Sequence, residues 1–157
     1  MAWLEGSFLG HAMRESGVWT YGVVNLFHIL GIASLFGSVL ILDLRLSGCW
    51  RTIRLAAVTE PSVRVAEAGF TLAVLSGICL LATKATEYVD NPFIYIKFPV
   101  IALALVNVAI LRRLPSWRGH KTRDLSIDEQ STLAIFGRIS LACWLTAITA
   151  GRMIGYW

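Results

Sequence analysis

The chain alternates between long apolar stretches and short polar ones. Four stretches are long enough to cross a bilayer, since a spanning helix needs about 20 mostly apolar residues. They cover about residues 18–44, 65–83, 93–111 and 133–154. The alternating strands of about ten residues that build a membrane β-barrel are not part of this pattern. We therefore predict an all-α integral membrane protein, an up-down bundle of four helices with short connections.

Residues 1–16 differ from the rest because apolar and charged residues are mixed there. The mixture predicts a short amphipathic helix that lies on the outer membrane surface. It contains neither the apolar core of a signal peptide nor a myristoylation pattern, so the first spanning helix is expected to act as the insertion signal. The predicted organisation is an interfacial segment at 1–16 and a four-helix transmembrane domain at 17–157.

Local signals predict where the helices begin and end. Gly48 is expected to close the first helix, and Pro61 suits the start of the second. Pro99 is expected in the first turn of the third helix, where proline is tolerated. The stretch 126–129, Ser-Ile-Asp-Glu, reads as a capping box before the fourth helix.

The composition agrees with a membrane protein. Hydrophobic residues make up 56% of the chain and charged residues only 15%, whereas a soluble domain carries roughly 25% charged residues. Cys49, Cys79 and Cys143 are too few and too scattered for a disulfide framework. No CxxC motif is present, so a thiolate metal site is not expected and small, buried cysteines are the simpler interpretation.

The basic residues are distributed unevenly between the two sides of the predicted bundle. Ten lie in or beside the two loops that join helices one to two and three to four: Arg45, Arg51, Arg54, Arg64, Arg112, Arg113, Arg118, Lys121, Arg123 and Arg138. Four lie on the other side: Arg14, Lys84, Lys97 and Arg152. The positive-inside rule then predicts an inner-membrane protein with cytoplasmic loops and both termini periplasmic. Topology and anionic lipids account for the net charge of +4, and no nucleic-acid partner is indicated.

His28 lies near the middle of the first apolar stretch. An ionisable side chain within a membrane helix is expensive and marks a functional site by default. Three interpretations stay open at this point: a histidine hydrogen-bonded inside the bundle, a metal or haem ligand, and a proton-handling group.

Several polar and small residues share or flank the helix face of His28. On a helical wheel Tyr21 falls on the same face, and Asn25 and Gly31 flank it. This face is expected to point into the bundle, so that Tyr21 and Asn25 would line a pocket or orient His28. The small residues of this helix permit close helix packing, and they would equally make room for a flat cofactor.

Basic residues near the outer surface are candidate partners for the carboxylates of a cofactor. Lys97, near the start of the third helix, and Arg152, near the end of the fourth, are the main candidates, together with Lys84. Fixed cations suit haem propionates in a low-dielectric site. The simpler interpretation is that these long side chains extend to the membrane interface. Asp43 is expected to pair with another helix, with Arg138 as a candidate partner.

Only one predicted span contains a histidine, so a bis-histidine haem within the spans is impossible. A second ligand would have to come from His11, Lys97, Met153, Tyr21 or water. His11, in the outer amphipathic segment, could fold over the mouth of the bundle and is the second candidate metal ligand beside His28. His120 lies in the basic loop and is expected to be solvated.

Common enzyme signatures are not found in the chain. It contains no GxSxG, HExxH, P-loop or Rossmann glycine pattern. The helix interruptions that mark substrate sites in transporters are also missing.

A set of residues spread over about 17–157 resembles a small uncharacterised family of bacterial inner-membrane four-helix proteins. The set comprises His28, Gly31, Gly37, the Asp43-Leu44-Arg45-Leu46 helix end, Pro61, Gly69, Ser76-Gly77, Asn91-Pro92-Phe93, Lys97, Asn107, Ser140, Trp144 and Gly151-Arg152. This resemblance implies a fold and a location, but it implies no activity.

More distantly, the layout is similar to the membrane-bound, haem-associated protoporphyrinogen oxidase family and to copper-resistance D membrane domains. Both have a histidine in an early helix and a later helix that opens with lysine. The resemblance to the oxidase family implies that His28 is a haem ligand and that Lys97 corresponds to its lysine.

The sequence thus predicts a membrane protein that holds one haem b in its outer half and acts in redox chemistry or electron transfer. Quinol or an outer-side redox protein would be its partner, and the chain would work as an oligomer or as the membrane subunit of a larger complex. Whether it is itself an oxidoreductase stays open. One alternative is a structural or accessory subunit without a cofactor, and another is copper or proton handling by His28 and Asp43.

Overall fold

The computed structural model describes residues 6–15, 17–83, 85, 86 and 88–156, and this part of the chain is helical without any strand. Helix α1 covers Phe8–Glu15, α2 Gly17–Leu46, α3 Leu55–Thr83, α4 Pro92–Leu111, α5 Pro115–Gly119 and α6 Ile127–Met153, followed by a 3-10 turn at Ile154–Tyr156. Four of these helices are long and apolar enough to cross a membrane: α2, α3, α4 and α6. The predicted all-α, four-span architecture with a short N-terminal helix is confirmed, and we treat the chain as a multi-pass membrane protein.

Two of the long helices begin earlier than the apolar pattern predicts. Helix α3 begins at Leu55 rather than near residue 65, and α6 begins at Ile127 rather than near 133. The extra turns carry exposed polar side chains, and in α3 an Arg64–Glu60 ion pair of 2.6 Å joins consecutive turns. Hydropathy therefore reports the apolar part of each helix, whereas the helix itself continues beyond it because local hydrogen bonds and caps support it.

The predicted positions of two prolines were wrong. Pro61 lies inside α3 rather than at its start, and Pro99 lies inside α4 well beyond the first turn. Both are exposed on the surface of the bundle. Proline is tolerated inside membrane helices because local adjustment and neighbouring groups satisfy the freed carbonyl. Proline is therefore a weaker boundary signal in this chain than it is in soluble proteins.

Two helix starts are fixed by side-chain caps. The capping box before α6 is confirmed, with the Glu129 amide donating to Ser126 Oγ at 3.2 Å and the Ser126 amide donating to Glu129 Oε2 at 3.0 Å. Hydrogen bonds to the Glu129 carboxylate raise the pKa of the Arg123 guanidinium. At α4, the Asn91 side chain accepts from the Phe93 amide at 3.0 Å and donates to the Ile154 carbonyl at 3.2 Å.

The four long helices pack in an incomplete ring. Helix α2 packs along α3 and also against α6, and α6 packs along α4. Within the described residues, α3 and α4 do not pack extensively on each other, although they are consecutive in the chain. An up-down bundle would close at this pair. The result is a cleft between α3 and α4 that opens sideways toward the surroundings of the bundle.

Close helix crossings depend on glycine. A Cβ added at Gly31 would lie 2.7 Å from the Ala73 nitrogen, and one at Gly69 would lie 2.6 Å from the Leu35 nitrogen. At the crossing of α2 and α6, a Cβ on Gly137 would lie 3.0 Å from the Asp43 carbonyl oxygen. Small residues of this kind let membrane helices approach backbone to backbone.

Large apolar side chains cover much of the outer surface. On α2, Leu26, Phe27, Ile29 and Leu30 are each about half exposed. The core is correspondingly modest, with one cluster around Leu35, Ala104, Cys143, Trp144 and Ala147 and another around Leu42, Leu46, Leu111 and Leu133. Such an apolar exterior is suited to a lipid bilayer, in which the helices satisfy their own backbone hydrogen bonds.

We name the two ends of the bundle by what they carry. The terminus end carries α1, the turn at 88–91 and the 3-10 turn, and the loop end carries residues 47–54 and 112–126. At the loop end the prediction for His120 was wrong: this residue is buried, its Nδ1 contacts the Trp117 carbonyl, and its ring packs 5.0 Å from the Trp117 ring. Short helix α5, which the pattern did not predict, brings these two side chains together.

Candidate functional site

His28 lies in the half of the bundle nearest the terminus end, with its side chain against α3. Its Nδ1 is 2.8 Å from the Ala73 carbonyl oxygen and 3.1 Å from Ser76 Oγ. The Ser76 hydroxyl itself donates to the Leu72 carbonyl at 2.5 Å. Because a carbonyl can only accept, the 2.8 Å contact requires the proton of a neutral ring to be on Nδ1. Nε2 then carries the free lone pair and is the atom able to bind a metal.

A glycine makes room for the His28 ring. A Cβ added at Gly77 would lie 3.0 Å from His28 Cε1, 3.4 Å from Nδ1 and 3.9 Å from Nε2. The ring therefore fits a surface made by Ala73, Ser76 and Gly77 of one helix. Ser76 and Gly77 belong to the set of residues on which the family resemblance is based. Helical spacing within α2 alone could not show that they contact His28, because they lie on another helix.

Lys97 is the second predicted site residue that the fold brings to this region. Its side chain crosses from α4 to α6, where a Cβ on Gly151 would lie 3.3 Å from Lys97 Nζ. The positive charge of Lys97 is close enough to the His28 ring to interact with it electrostatically. His28 and Lys97, which are 69 positions apart in the chain, therefore belong to one region of the terminus-end half. Lys97 lies in the second turn of α4 rather than opening it.

Arg152 is not part of this cluster. Its side chain is exposed, its Nη2 contacts the Tyr156 hydroxyl, and its guanidinium carbon lies 4.5 Å from the centre of the Tyr156 ring. The interaction is local, within the last turn of the chain. A cofactor carboxylate would have to compete with Tyr156 for this side chain.

The three remaining candidates on α2 have different surroundings. Tyr21 is 39% exposed, and Asn25 is half-buried. Gly31 is buried against the backbone of α3 at its crossing with Gly69. The space beside Gly31 is therefore filled by α3, which favours helix packing over room for a cofactor at this position.

The candidate second ligands do not surround His28 as a cluster. His11 is exposed on α1, and Met153 is exposed at the end of α6. Lys84 lies outside the described residues. Within the described part of the chain, no three His, Cys, Asp or Glu side chains come together as a metal site. The chemistry available at His28 is that of a single nitrogen ligand with a cation nearby.

A second candidate site lies in the other half of the bundle. The cleft between α3 and α4 leads to a cavity of about 250 Å³ whose walls are mostly apolar. Its polar members are Asp43, Ser62, Glu67, Asn107, Arg112 and Ser140. The sequence analysis singled out Asp43 and Asn107 separately. It could not show that residues from α2, α3, α4 and α6 enclose one space.

Two buried polar atoms at this cavity have no hydrogen-bond partner within the described residues. They are Asp43 Oδ2 and Trp144 Nε1. Ser140 lies beside the Asp43 carboxyl group at the same cavity. The predicted Asp43–Arg138 pair was wrong: Arg138 is exposed, and no ion pair joins the two among the described residues.

Other polar groups at the cavity are matched. Asn107 donates to the Phe136 carbonyl at 3.1 Å, which is the interhelical hydrogen bond that a lone polar residue in a span suggests. Glu67 on α3 and Arg112, the residue that follows the end of α4, form an ion pair across the loop end of the cleft. The ion pair is partly exposed, and it links the two helices that otherwise do not pack.

The whole chain, residues 1–157, matches the model of a family of unknown function, DUF6644. The chain belongs to this family. No curated protein and no solved structure matches it. The family membership agrees with the uncharacterised membrane family that the sequence resembles, and it assigns no activity.

Proposed function

We propose that this DUF6644 member is a membrane redox protein that holds one b-type haem with His28 as an axial ligand. The observation that carries the proposal is the contact of 2.8 Å between His28 Nδ1 and the Ala73 carbonyl oxygen. Metal-ligating histidines almost always donate their other ring N–H to a carbonyl, carboxylate or water, which fixes the tautomer and orients the ring. The remaining nitrogen is then free for iron.

The surrounding residues fit a single axial ligand. Ser76 and Gly77 hold and accommodate the ring, and Lys97 supplies a cation in the same region for an acidic group of the cofactor. When bound, a haem iron of this kind transfers single electrons. The protein's own contribution would be to orient the ligand and to surround it with apolar side chains.

The resemblance to the protoporphyrinogen oxidase family supports the same assignment, because it implies that His28 corresponds to a haem ligand. The protoporphyrinogen oxidase family and copper-resistance D domains also combine an early-helix histidine with a later lysine. The distribution of basic residues is the basis for a proposed location in the inner membrane, with both termini in the periplasm. The His28 region would then be nearer the periplasm. Quinol and a periplasmic redox protein are the proposed partners, within an oligomer or larger complex.

A structural or accessory subunit without a cofactor is the second candidate. The observation that favours it is the same histidine environment, since Ala73 and Ser76 also satisfy a buried polar ring. The Gly31–Gly69 crossing fits this interpretation as well. A copper ion shared by His28 and Asp43 is disfavoured, because 15 residues of helix separate them by about 22 Å.

The deciding experiment is a reduced-minus-oxidised absorption spectrum of the full chain, purified in detergent after expression with ample haem. His28→Ala is compared with His11→Ala, an exposed histidine that serves as the matched control. We expect Soret and α-bands in the wild type and in His11→Ala, and their loss in His28→Ala. A colourless wild type, or a full spectrum in His28→Ala, would reject the haem proposal and favour the structural one.

A further inference from the structure

The cavity at the loop-end half has the properties of a binding site. It encloses about 250 Å³ between α2, α3, α4 and α6, with a wall dominated by Leu35, Val39, Phe70 and Leu105. Small-molecule sites are typically concave and apolar, with a few polar groups that fix orientation. This cavity is distinct from the His28 region, since His28 and Lys97 do not line it.

Its two unmatched polar atoms are complementary in character. Asp43 Oδ2 is a hydrogen-bond acceptor, Trp144 Nε1–H is a donor, and both residues are more than nine-tenths buried. Buried polar groups nearly always have a partner, and an unmatched one carries its full desolvation cost. A ligand that supplies one donor and one acceptor would satisfy both.

The spacing of these atoms limits what the ligand can be. Asp43 lies beside Gly137 at the crossing of α2 and α6, and Trp144 follows Gly137 by two turns of α6. The two residues are therefore offset by about two helical turns, roughly 10 Å along the helix axis. A ligand that reaches both side chains must carry polar atoms at opposite ends, as a quinol ring does.

Other ligand classes fit less well. A lipid phosphate needs a free cation, but Arg112, the basic residue of the wall, is paired with Glu67. A metal ion needs several ligands, and no three His, Cys, Asp or Glu side chains come together in the described residues. The apolar wall instead suits a neutral ring, and Phe70 and Trp144 already form an edge-to-face aromatic pair, with ring centres 6.3 Å apart.

Access to the cavity is from the side of the bundle. Helices α3 and α4 leave a lateral opening because they do not pack along each other in the described part of the chain. In a membrane protein such an opening faces lipid. A ligand whose ring enters the cavity could therefore keep a long apolar tail in the bilayer.

We propose that this cleft binds the ring of a lipid-soluble quinol, with one hydroxyl donating to Asp43 and the opposite oxygen accepting from the Trp144 indole N–H. The inference deepens the proposed function. It rests on that function in one respect only, since the redox role is the reason for naming quinol as the electron donor. Binding itself requires no haem. It also predicts selectivity, since a quinone lacks the hydroxyl that would donate a hydrogen bond to the Asp43 carboxylate.

The test measures binding of duroquinol and duroquinone to the full chain in lipid nanodiscs, by anaerobic isothermal titration. Trp144→Phe keeps the ring but removes the N–H, and Asp43→Leu keeps the approximate volume but removes the acceptor. Each should weaken duroquinol binding by about tenfold, the effect of losing one hydrogen bond. Asp43→Leu should have little effect on duroquinone. The matched controls are Trp19→Phe and Asp90→Asn, both exposed residues, which should bind as the wild type does.

A further variant keeps the test decisive if a substitution unfolds the protein. Ala66→Leu should fill part of the cavity, abolish duroquinol binding and leave the melting temperature unchanged or higher. Wild type that fails to bind duroquinol, or Asp43→Leu and Trp144→Phe variants that bind it normally, would overturn the proposal.

The two proposals can fail separately. His28→Ala should lose the Soret band yet keep duroquinol binding, whereas Trp144→Phe should keep the Soret band and lose affinity for duroquinol. A colourless protein that binds duroquinol through Asp43 and Trp144 would reject the haem and retain the cleft.

Discussion

Gly31 and Gly69 face each other across the crossing of α2 and α3. A Cβ on Gly31 would lie 2.9 Å from the Gly69 carbonyl oxygen, and a Cβ on Gly69 would lie 2.8 Å from the Gly31 carbonyl oxygen. Because each glycine lacks a Cβ, it leaves free the space that the backbone of the other helix occupies. This mutual fit positions α3, and with it the groups that hold His28.

We expect Gly31→Ala and Gly69→Ala each to lower the free energy of unfolding by about 1–3 kcal/mol, the usual cost of overpacking. The added Cβ meets backbone atoms, which cannot rotate away as a side chain can. Unfolding in sodium dodecyl sulfate measures the effect. Gly37→Ala is the matched control, since nothing lies within 4 Å of its added Cβ, and it should be neutral or slightly stabilising. Equal effects at all three positions would contradict this interpretation.

Gly77→Ala should displace the His28 ring, because the new Cβ would lie 3.0 Å from Cε1. If His28 binds haem, the ratio of Soret absorbance to protein should fall and the band should shift, while the helix itself remains folded. The control is Gly22→Ala, whose added Cβ has nothing within 4 Å. An unchanged spectrum in Gly77→Ala, beside a normal wild-type spectrum, would show that the ring position is not critical for haem binding.

Asn107→Leu should lower the free energy of unfolding by about 1 kcal/mol, typical of an interhelical hydrogen bond within a membrane protein. The substitution removes the contact of 3.1 Å with the Phe136 carbonyl oxygen, which joins α4 to α6. Asn25→Leu is the comparison, since Asn25 has no hydrogen bond between helices among the described residues. A larger loss in Asn25→Leu would show that Asn25 has a role that the fold does not explain.

The Glu67–Arg112 ion pair should show a small but measurable coupling, below about 1 kcal/mol because both side chains are partly exposed. A double-mutant cycle with Glu67→Gln and Arg112→Gln measures it. The same cycle at Glu60 and Arg64, which are paired within α3, serves as the control. Only the Glu67–Arg112 cycle should alter the rate of cross-linking between cysteines introduced on α3 and α4.

Cys49 offers a direct test of topology, because it is exposed at the loop end. In intact cells, an impermeant maleimide should fail to label Cys49 and should label it once the inner membrane is opened. Gly155→Cys in a Cys49→Ser background places the thiol at the terminus end and should behave in the opposite way. Labelling of Cys49 from the periplasm would reverse the proposed orientation.

Much of the fold could be predicted from local pattern. Apolar stretches of sufficient length predict four spans, and the Ser126 and Glu129 pair predicts the start of α6, because both signals act within one helix. The start of α3 and the positions of Pro61 and Pro99 could not be read in this way. A helix can extend beyond its apolar part, and membrane helices tolerate proline.

The sequence by itself determined that the chain spans a membrane and that His28 is unusual, because both follow from the cost of polar groups in hydrocarbon. Only the tertiary structure decided which atoms meet. Ala73 and Gly77 contact His28, Lys97 reaches its region, and Arg152 does not, since these contacts depend on how separate helices cross. The cavity shared by Asp43 and Trp144 likewise exists only because α3 and α4 stay apart.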